Sequence, residues 1–369
     1  MIFSIDQCGF RNLQECSLEF SQGITVISGQ NGSGKSNLLE SIHIICQGFS
    51  FRTRNLQEAI KWNTDNFVIR AKTAENEAAI QVDNAKTRVK LNGKEFRRAS
   101  TLFGTAPLVF ISPEDISLAK DAAENRRNFI DELLCFCKKS NLELLRTYRR
   151  ILAQRNRWLK DNSSGEAAGG DYLFETLTEQ LASLAVLVWN ERRELCEVLE
   201  PCIKNYYQML SSNSEPMSFS YTKALGKEEY LKVLYEKKAS DTAAGITTRG
   251  PHRDDVELFV QGHLARDFAS QGQCRSIALA MKFTAAEIIE KHSAKPILLL
   301  DDIFAELDSN RREAVAQIVR QKGCQTFAAT PNIKDLPFEG DMVLHFHSTE
   351  NAPSSSSLIS TRTLPPLSL

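Results

Sequence analysis

The sequence predicts an α/β fold in which a nucleotide-binding domain is interrupted by a mainly helical insertion, and three observations carry that reading. Gly29-Gln30-Asn31-Gly32-Ser33-Gly34-Lys35-Ser36 fits the phosphate-cradling pattern G-x-x-x-x-G-K-[ST]. Much later, the fully apolar run Ile297-Leu298-Leu299-Leu300 delivers Asp301 and Asp302 at its end, as a buried parallel strand delivers ligand-binding groups at its carboxyl edge. Between the two, apolar residues recur at helical spacing around a Gly/Ser-rich tip, which describes an antiparallel helical hairpin.

Length and composition set the frame. A chain of 369 residues exceeds one typical domain and accommodates two, one inserted in the other. With 45 Lys plus Arg against 46 Asp plus Glu, bulk charge will not attract a polyanion, so any nucleic-acid site is local. The nine cysteines are scattered, with no C-x-x-C pair or histidine cluster, and are expected to be reduced thiols rather than zinc ligands. The start of the chain has no basic segment followed by an apolar core, and no apolar run is long enough to span a bilayer. The expectation is a cytoplasmic protein without membrane partners.

Taken in order, residues 1 to about 28 form paired strands, ending in the β-branched strand Ile24 to Ser28 that feeds the phosphate loop. Leu38, Leu39, Ile42 and Ile45 then mark a helix. Phe67–Ala71, Ala79–Val82 and Thr87–Leu91 alternate as antiparallel strands, and Asn92-Gly93 is a hairpin turn. Leu108 to Ile111 is another buried strand, and Ser112-Pro113-Glu114-Asp115 reads as a helix start.

The first half of the nucleotide domain is therefore placed at 1–112 and the helical arm at 113–245. Its hairpin covers about 141–200, with a tip at 162–170 and a stop at Pro201. The second half of the domain is placed at 246–347, and the Ser/Pro-rich remainder, 348–369, is expected to be disordered.

The chemistry follows from residue types at this spacing. Loop amides from Gly29 to Gly34 would make an anion nest, Lys35 would reach the β and γ oxygens of ATP, and the Ser36 hydroxyl would take one position on Mg²⁺. Asp301 suits the same Mg²⁺, and Asp302 suits orienting or deprotonating the attacking water. Lys35 and Asp302 are thus the catalytic candidates. Ser270-Gln271-Gly272-Gln273 opens a helix with hydroxyl and amide side chains that suit a γ-phosphate; an ordinary helix cap explains Ser270 but leaves the following Gln-Gly-Gln unexplained.

Those residues carry a resemblance. Ser270 to Gln273 is similar to the signature motif of ABC-type ATPases, and Glu306-Leu307-Asp308 to their D-loop, which adds Asp308 to the nucleotide-binding candidates. The order of P-loop, helical insertion, signature, acidic strand and D-loop resembles the SMC-like branch, and more closely the RecF family. The closer match is carried by Gly9-Phe10-Arg11-Asn12-Leu13, the P-loop, Ser112-Pro113-Glu114-Asp115 with Arg126-Arg127-Asn128-Phe129-Ile130-Asp131, Gly250-Pro251-His252-Arg253-Asp254-Asp255, and Leu299 to Asp308.

The resemblance implies an ABC-type, SMC-like P-loop ATPase head with an inserted helical arm. It also implies weak, DNA-stimulated ATP hydrolysis and an ATP-dependent homodimer, in which Ser270 of one protomer closes on the γ-phosphate held at Lys35 of the other. Finally it implies binding to duplex DNA at single-strand gaps, with RecR and RecO as partners in loading RecA for recombinational repair, replication restart and the SOS response.

DNA candidates lie on the arm, where Arg146, Arg149, Arg150, Arg155 and Arg157 join Lys138, Lys139 and Lys160 with only Glu143 opposing. The alternative is a solvated face paired with Glu175, Glu179, Glu191 and Glu194 on the returning helix. A second basic set is Arg52, Arg54, Lys86, Arg88, Lys90, Arg97 and Arg98. His252 and Arg253 either touch DNA or nucleotide, or belong to a rigid turn tied by Arg–Asp pairs. Two other functions fit the ATP motifs: the ATPase subunit of a membrane transporter, which the basic hairpin and the Asp-Asp pair disfavour, and a scaffold that binds ATP without hydrolysing it.

Overall fold

The computed structural model describes residues 1–163, 171–211, 215–221, 224–348 and 357–363. The chain divides into two compact units, one comprising Met1–Asp115, Met209–Ser212 and Ala285–Leu369, the other Ile116–Gln208 and Asn213–Thr284. The helical segment is thus an insertion into an α/β domain, as the motif order requires. The second division falls inside a helix, at Thr284, rather than at 245, because the helix that opens with the Ser270 motif is shared by both units.

The first unit is built of two six-stranded sheets around one helix. One sheet, in the order β2-β1-β4-β5-β6-β7, contains β1 (Ile2–Cys8), β2 (Cys16–Glu19), β4 (Asn66–Thr73), β5 (Glu77–Asp83), β6 (Thr87–Leu91) and β7 (Lys94–Phe96), antiparallel throughout. Its strands alternate buried and accessible residues, the period-two pattern of a sheet with one wet face. Asn92 and Gly93 have φ of 48° and 81°, the two positive values that a tight hairpin between β6 and β7 demands.

The other sheet, in the order β15-β14-β3-β13-β12-β8, contains β3 (Ile24–Gly29), β8 (Leu108–Ile111), β12 (Ile297–Asp301), β13 (Thr326–Thr330), β14 (Met342–Ser348) and β15 (Ser357–Thr363). All its pairs are parallel except β14 with β15. Every residue of β12 and β13 is buried. Helix α1 (Lys35–Gln47) lies against strands of both sheets, which is why Leu38, Leu39, Ile42, Ile44 and Ile45 are all inaccessible although they do not share one face. Helix α10 (Ser309–Lys322) completes the unit.

The second unit holds α2 (Ser117–Lys120), α3 (Ala123–Cys137), α4 (Lys139–Ser163), all but the last two residues of α5 (Asp171–Leu210), α6 (Lys227–Glu236), α7 (Lys238–Ala244), α8 (Ala265–Phe268) and α9 (Gln271–His292) as far as Thr284. A small sheet joins β9 (Met217–Tyr221), β10 (Val256–Val260) and β11 (His263–Leu264) in the order β11-β10-β9.

Two expectations need correction. Helix α5 does not stop at Pro201 but runs to Leu210. Leu199, Ile203, Tyr206 and Tyr207 are buried along it while Pro201 is exposed, and that burial outweighs the roughly 3 kcal/mol an interior proline costs. Nor is the C-terminal tail without structure, since Ser357–Thr363 pairs with β14 from Met342↔Thr363 to Ser348↔Ser357. Overall Ser/Pro content hides a short run, Leu358-Ile359-Ser360-Thr361, with ordinary strand propensity. Residues 349–356, 364–369 and the hairpin tip at 164–170 lie outside the described residues.

Candidate nucleotide-binding site

Strand β3 runs inside its sheet between β13 and β14, so its end is fixed by parallel pairing on both sides. Gly29 is where it leaves the sheet. A Cβ there would lie 2.4 Å from the Phe346 carbonyl oxygen and 2.8 Å from Ser33 Oγ, so only glycine fits. Gly34 caps α1 at φ 102°, ψ 4°, a conformation costly for any other residue. It supplies no capping side chain, and with the Asn37 amide already bonded to the Gly34 carbonyl at 3.0 Å, the amides of Lys35 and Ser36 are left for an anion.

Two side chains in the loop support that use. Ser33 is buried and its Oγ has no hydrogen-bond partner. Lys35, also buried, donates from Nζ to the carbonyl oxygens of Gly29 (2.8 Å) and Gln30 (3.0 Å). Burial lowers its pKa, with Asp302 and Asp301 pulling the other way. An orphaned hydroxyl, a cation folded back on its own loop and a turn that no Cβ can enter fit a polyphosphate.

The acidic strand meets this loop. Ser36 Oγ donates to Asp301 Oδ1 at 2.9 Å, joining residues 265 positions apart. Burial raises the Asp301 pKa against the Ser36 bond and the Arg52 charge. A hydroxyl and a carboxylate are the hard oxygen donors that Mg²⁺ takes, and two carboxylates beside one lysine leave negative charge for a divalent ion to balance. Asp302 has φ 56°, ψ 24°, a left-handed conformation that aspartate tolerates better than most residues. Its Oδ1 is buried without a partner. Burial raises its pKa too, with Lys35 opposing. It is an unsatisfied acceptor held in a strained turn, the condition of a group waiting for a donor.

Sequence reasoning gave none of the residues bracing this site a role at the phosphate loop. Arg11, at φ 48°, forms a bidentate pair with the fully buried Glu40 of α1 (2.7 and 3.0 Å), which also accepts from Ser50 Oγ at 2.6 Å. Asn12 Nδ2 donates to the Gly32 carbonyl (3.1 Å) and its Oδ1 accepts from Asn37 Nδ2 (2.6 Å), while Arg52 donates to Asn37 Oδ1 (2.5 Å). Arg52, expected in a surface basic set, therefore belongs to the shell of the phosphate loop. The signal was Gly9 before Arg11-Asn12, a turn with two positive φ values that aims both side chains at α1.

Ser270 to Gln273 belongs to the second unit. Ser270 Oγ accepts from the Gln273 amide (3.2 Å) and Gln273 Oε1 accepts from the Ser270 amide (2.7 Å), a reciprocal capping box that accounts for Gln273 as well as Ser270. Cys274 is fully buried and its thiol faces the Ala269 carbonyl. Asp308 caps α10 by accepting from the Arg311 amide and pairs with the Arg311 guanidinium, and these bonds lower its pKa.

Arg155 is a correction. It is 0% exposed, bonded to Asp241 (3.2 Å), Thr247 (2.6 Å) and Thr178 (3.2 Å), with Phe174 beneath the guanidinium, and it meets no solvent-borne ligand. It stands one heptad after the buried Tyr148, on the helix face that packs inward. Arg146, Arg149, Arg150 and Arg157 are exposed; Arg146 pairs with Glu143, Arg149 with Asp131 and Arg157 with Asp161. Lys138 bonds to Glu191 on the returning helix, as the charge-paired alternative expected.

The Gly250 to Asp255 run is a rigid turn tied by Arg–Asp pairs. Arg126 grips Asp255 bidentately, and Asp254 accepts from Trp189 Nε1 (2.6 Å) and Tyr221 (2.8 Å) beside Arg192. His252 accepts from the Tyr148 hydroxyl at Nδ1 and donates to the Thr247 carbonyl from Nε2, and burial pushes its pKa down to about 4.

Among the described residues no cluster of His, Cys, Asp and Glu forms a metal site, and no helix is long and apolar enough to cross a membrane.

Comparison with known proteins bears on the family and the fold. The profile of the RecF/RecN/SMC N terminal domain matches residues 1–347. The DNA replication and repair protein RecF of Thermoanaerobacter sp. (strain X514) is 34% identical over 343 residues, covering 89% of this chain and 93% of its own. The structure of the recombination mediator protein RecF with ATP, in the RecFOR pathway, superposes with a TM-score of 0.86 at 28% identity, over 98% of this chain and 97% of that one. An SMC head bound to the C-winged helix domain of ScpA shares the fold, with a TM-score of 0.61 at 17% identity over 98% of each chain.

Proposed function

Because the chain belongs to the RecF family, a branch of the RecF/RecN/SMC proteins with an ABC-type ATPase head, we propose that it is an ATP-dependent DNA-binding recombination mediator. The observation that carries the reading is the Ser36–Asp301 bond, with the unsatisfied Ser33 Oγ and Asp302 Oδ1 in the same unit. Loop residues Gly29 to Ser36 hold the phosphates of ATP. Lys35 exchanges its two loop carbonyls for phosphate oxygens, and Ser36 with Asp301 holds Mg²⁺, which supplies charge neutralisation. Asp302 accepts a proton from the attacking water.

The Ser270 hydroxyl and the first amides of α9 meet the γ-phosphate bound by a second protomer, so ATP assembles a homodimer and slow hydrolysis releases it. Arg146, Arg149, Arg150 and Arg157 contribute sequence-independent phosphate contacts to duplex DNA beside single-strand gaps, where RecO- and RecR-type partners assist in loading RecA. This places the work in the cytoplasm. Sedimentation of the full chain with ATP, on gapped and on blunt duplex, tests the reading. ATP-dependent dimers favoured by the gap are expected, and a monomer under every condition refutes it.

A further inference from the structure

The signature turn is held by a residue outside any motif. The capping box commits Gln273 Oε1 to the Ser270 amide, which fixes the direction in which the side-chain amide points. Its Nε2 donates to Glu215 Oε2 at 2.7 Å, and the same carboxylate oxygen accepts from the Tyr207 hydroxyl at 3.1 Å. Glu215, partly buried, is thus anchored from α5 and in turn anchors the first turn of α9.

We infer that Glu215 is a positioning residue for γ-phosphate recognition by the signature turn. Its carboxylate allows one orientation of the Gln273 amide. With that amide rotated, its NH₂ group would face the Ser270 N–H, donor against donor, and the box would open. With the box closed, Ser270 Oγ accepts from Gln273 and keeps its own proton free to donate. The amides of Gln271 and Gly272 stand at the open end of the helix beside it. Three donors are then set for one anion before it arrives, so less order is lost when the partner's nucleotide meets them. The inference rests on the reading that this turn meets ATP bound by the second protomer.

The test uses the full chain. Glu215→Ala removes the acceptor, whereas Glu215→Gln keeps an oxygen that can accept from both donors. A charge-assisted bond lost at the contact weakens each site roughly tenfold, and a symmetric dimer has two, so the ATP-dependent dimerisation constant of Glu215→Ala is expected to fall about a hundredfold. Glu215→Gln should stay within about threefold of wild type on the same ground.

Fluorescent-ATP affinity of the dilute monomer should be unchanged in both, because the phosphate loop lies in the other unit. If the alanine variant does not fold, Gln273→Glu breaks the contact from the other side, and the double variant E215Q/Q273E, which swaps acid and amide, should restore dimerisation. A Glu215→Ala protein that dimerises like wild type overturns the inference, as does a Glu215→Gln protein as weak as Glu215→Ala, or a swap that fails to rescue. If Ser270→Arg leaves the ATP-dependent dimer intact, the two-protomer site itself is refuted, and this inference with it.

Discussion

Replacing Arg155 with methionine separates a structural cation from a DNA-binding one. Arg155 and Asp241 have side-chain exposures of 0% and 1%, so neither charge can be rescued by water. Removing one partner of a buried pair costs about 3–5 kcal/mol, since the other charge stays buried. Asp241 would keep the amide and hydroxyl of Thr248, at 3.1 and 2.6 Å, which places the loss near the lower end, about 3 kcal/mol.

At roughly 2–4 °C per kcal/mol for a domain of this size, melting should fall by about 6–12 °C. Tryptophan fluorescence follows it, because Trp158 and Trp189 are both buried in the arm. The double variant R155M/D241N should regain much of the loss by removing the stranded charge. Arg150→Ala and Arg157→Ala, at exposed positions, should melt normally and each lower the salt dependence of DNA binding by about one phosphate contact. An Arg155→Met protein of wild-type stability with weakened DNA affinity would refute this assignment.

Other expectations follow from single groups. Lys35→Ala should abolish binding of fluorescent ATP while the melting profile of the arm is retained; normal nucleotide affinity would remove the loop from the site. Asp302→Asn should bind ATP and dimerise but lose hydrolysis, measured as phosphate release. His252 is held neutral, its pKa depressed from 6.5 to about 4 by burial among Arg253, Arg127 and Arg192. Its share of arm stability, at most about 3 kcal/mol, is fully present above pH 6.5 and is lost as the pH falls towards 4. His252→Asn should flatten that slope in urea unfolding, and an unaltered slope would exclude the histidine as its source.

The parts of the fold legible in the sequence were those where one local rule decides. β12 and β13 are buried on both faces and read as unbroken apolar runs, β4 and β5 are half-buried and alternate, and Asn92-Gly93 permits few turns. The α5 helix passing Pro201 was not legible, because packing along Leu199, Ile203 and Tyr207 settles it and no window around the proline contains that information. Arg155 was legible in principle: its spacing from Tyr148 and Leu159 puts it on the inward face, but its charge argued the other way. The Ser36–Asp301 pair follows from two motifs. Glu215 follows from none, since only the folded backbone brings it to Gln273.

The bond between Ile2 and Gln325 belongs to a wider pattern. Gln325 accepts from the Ile2 amide and donates to the carbonyls of Ile2 and Ser21, while β3 pairs only with strands from the last part of the chain. During synthesis the phosphate loop emerges early but has no neighbours in its sheet until β13 and β14 have left the ribosome, and no Asp301 until shortly before. The helical arm is complete well ahead of that. A nascent or prematurely ended chain would therefore expose a finished arm with no means of reading ATP, and its nucleotide control would arrive only with the final strands.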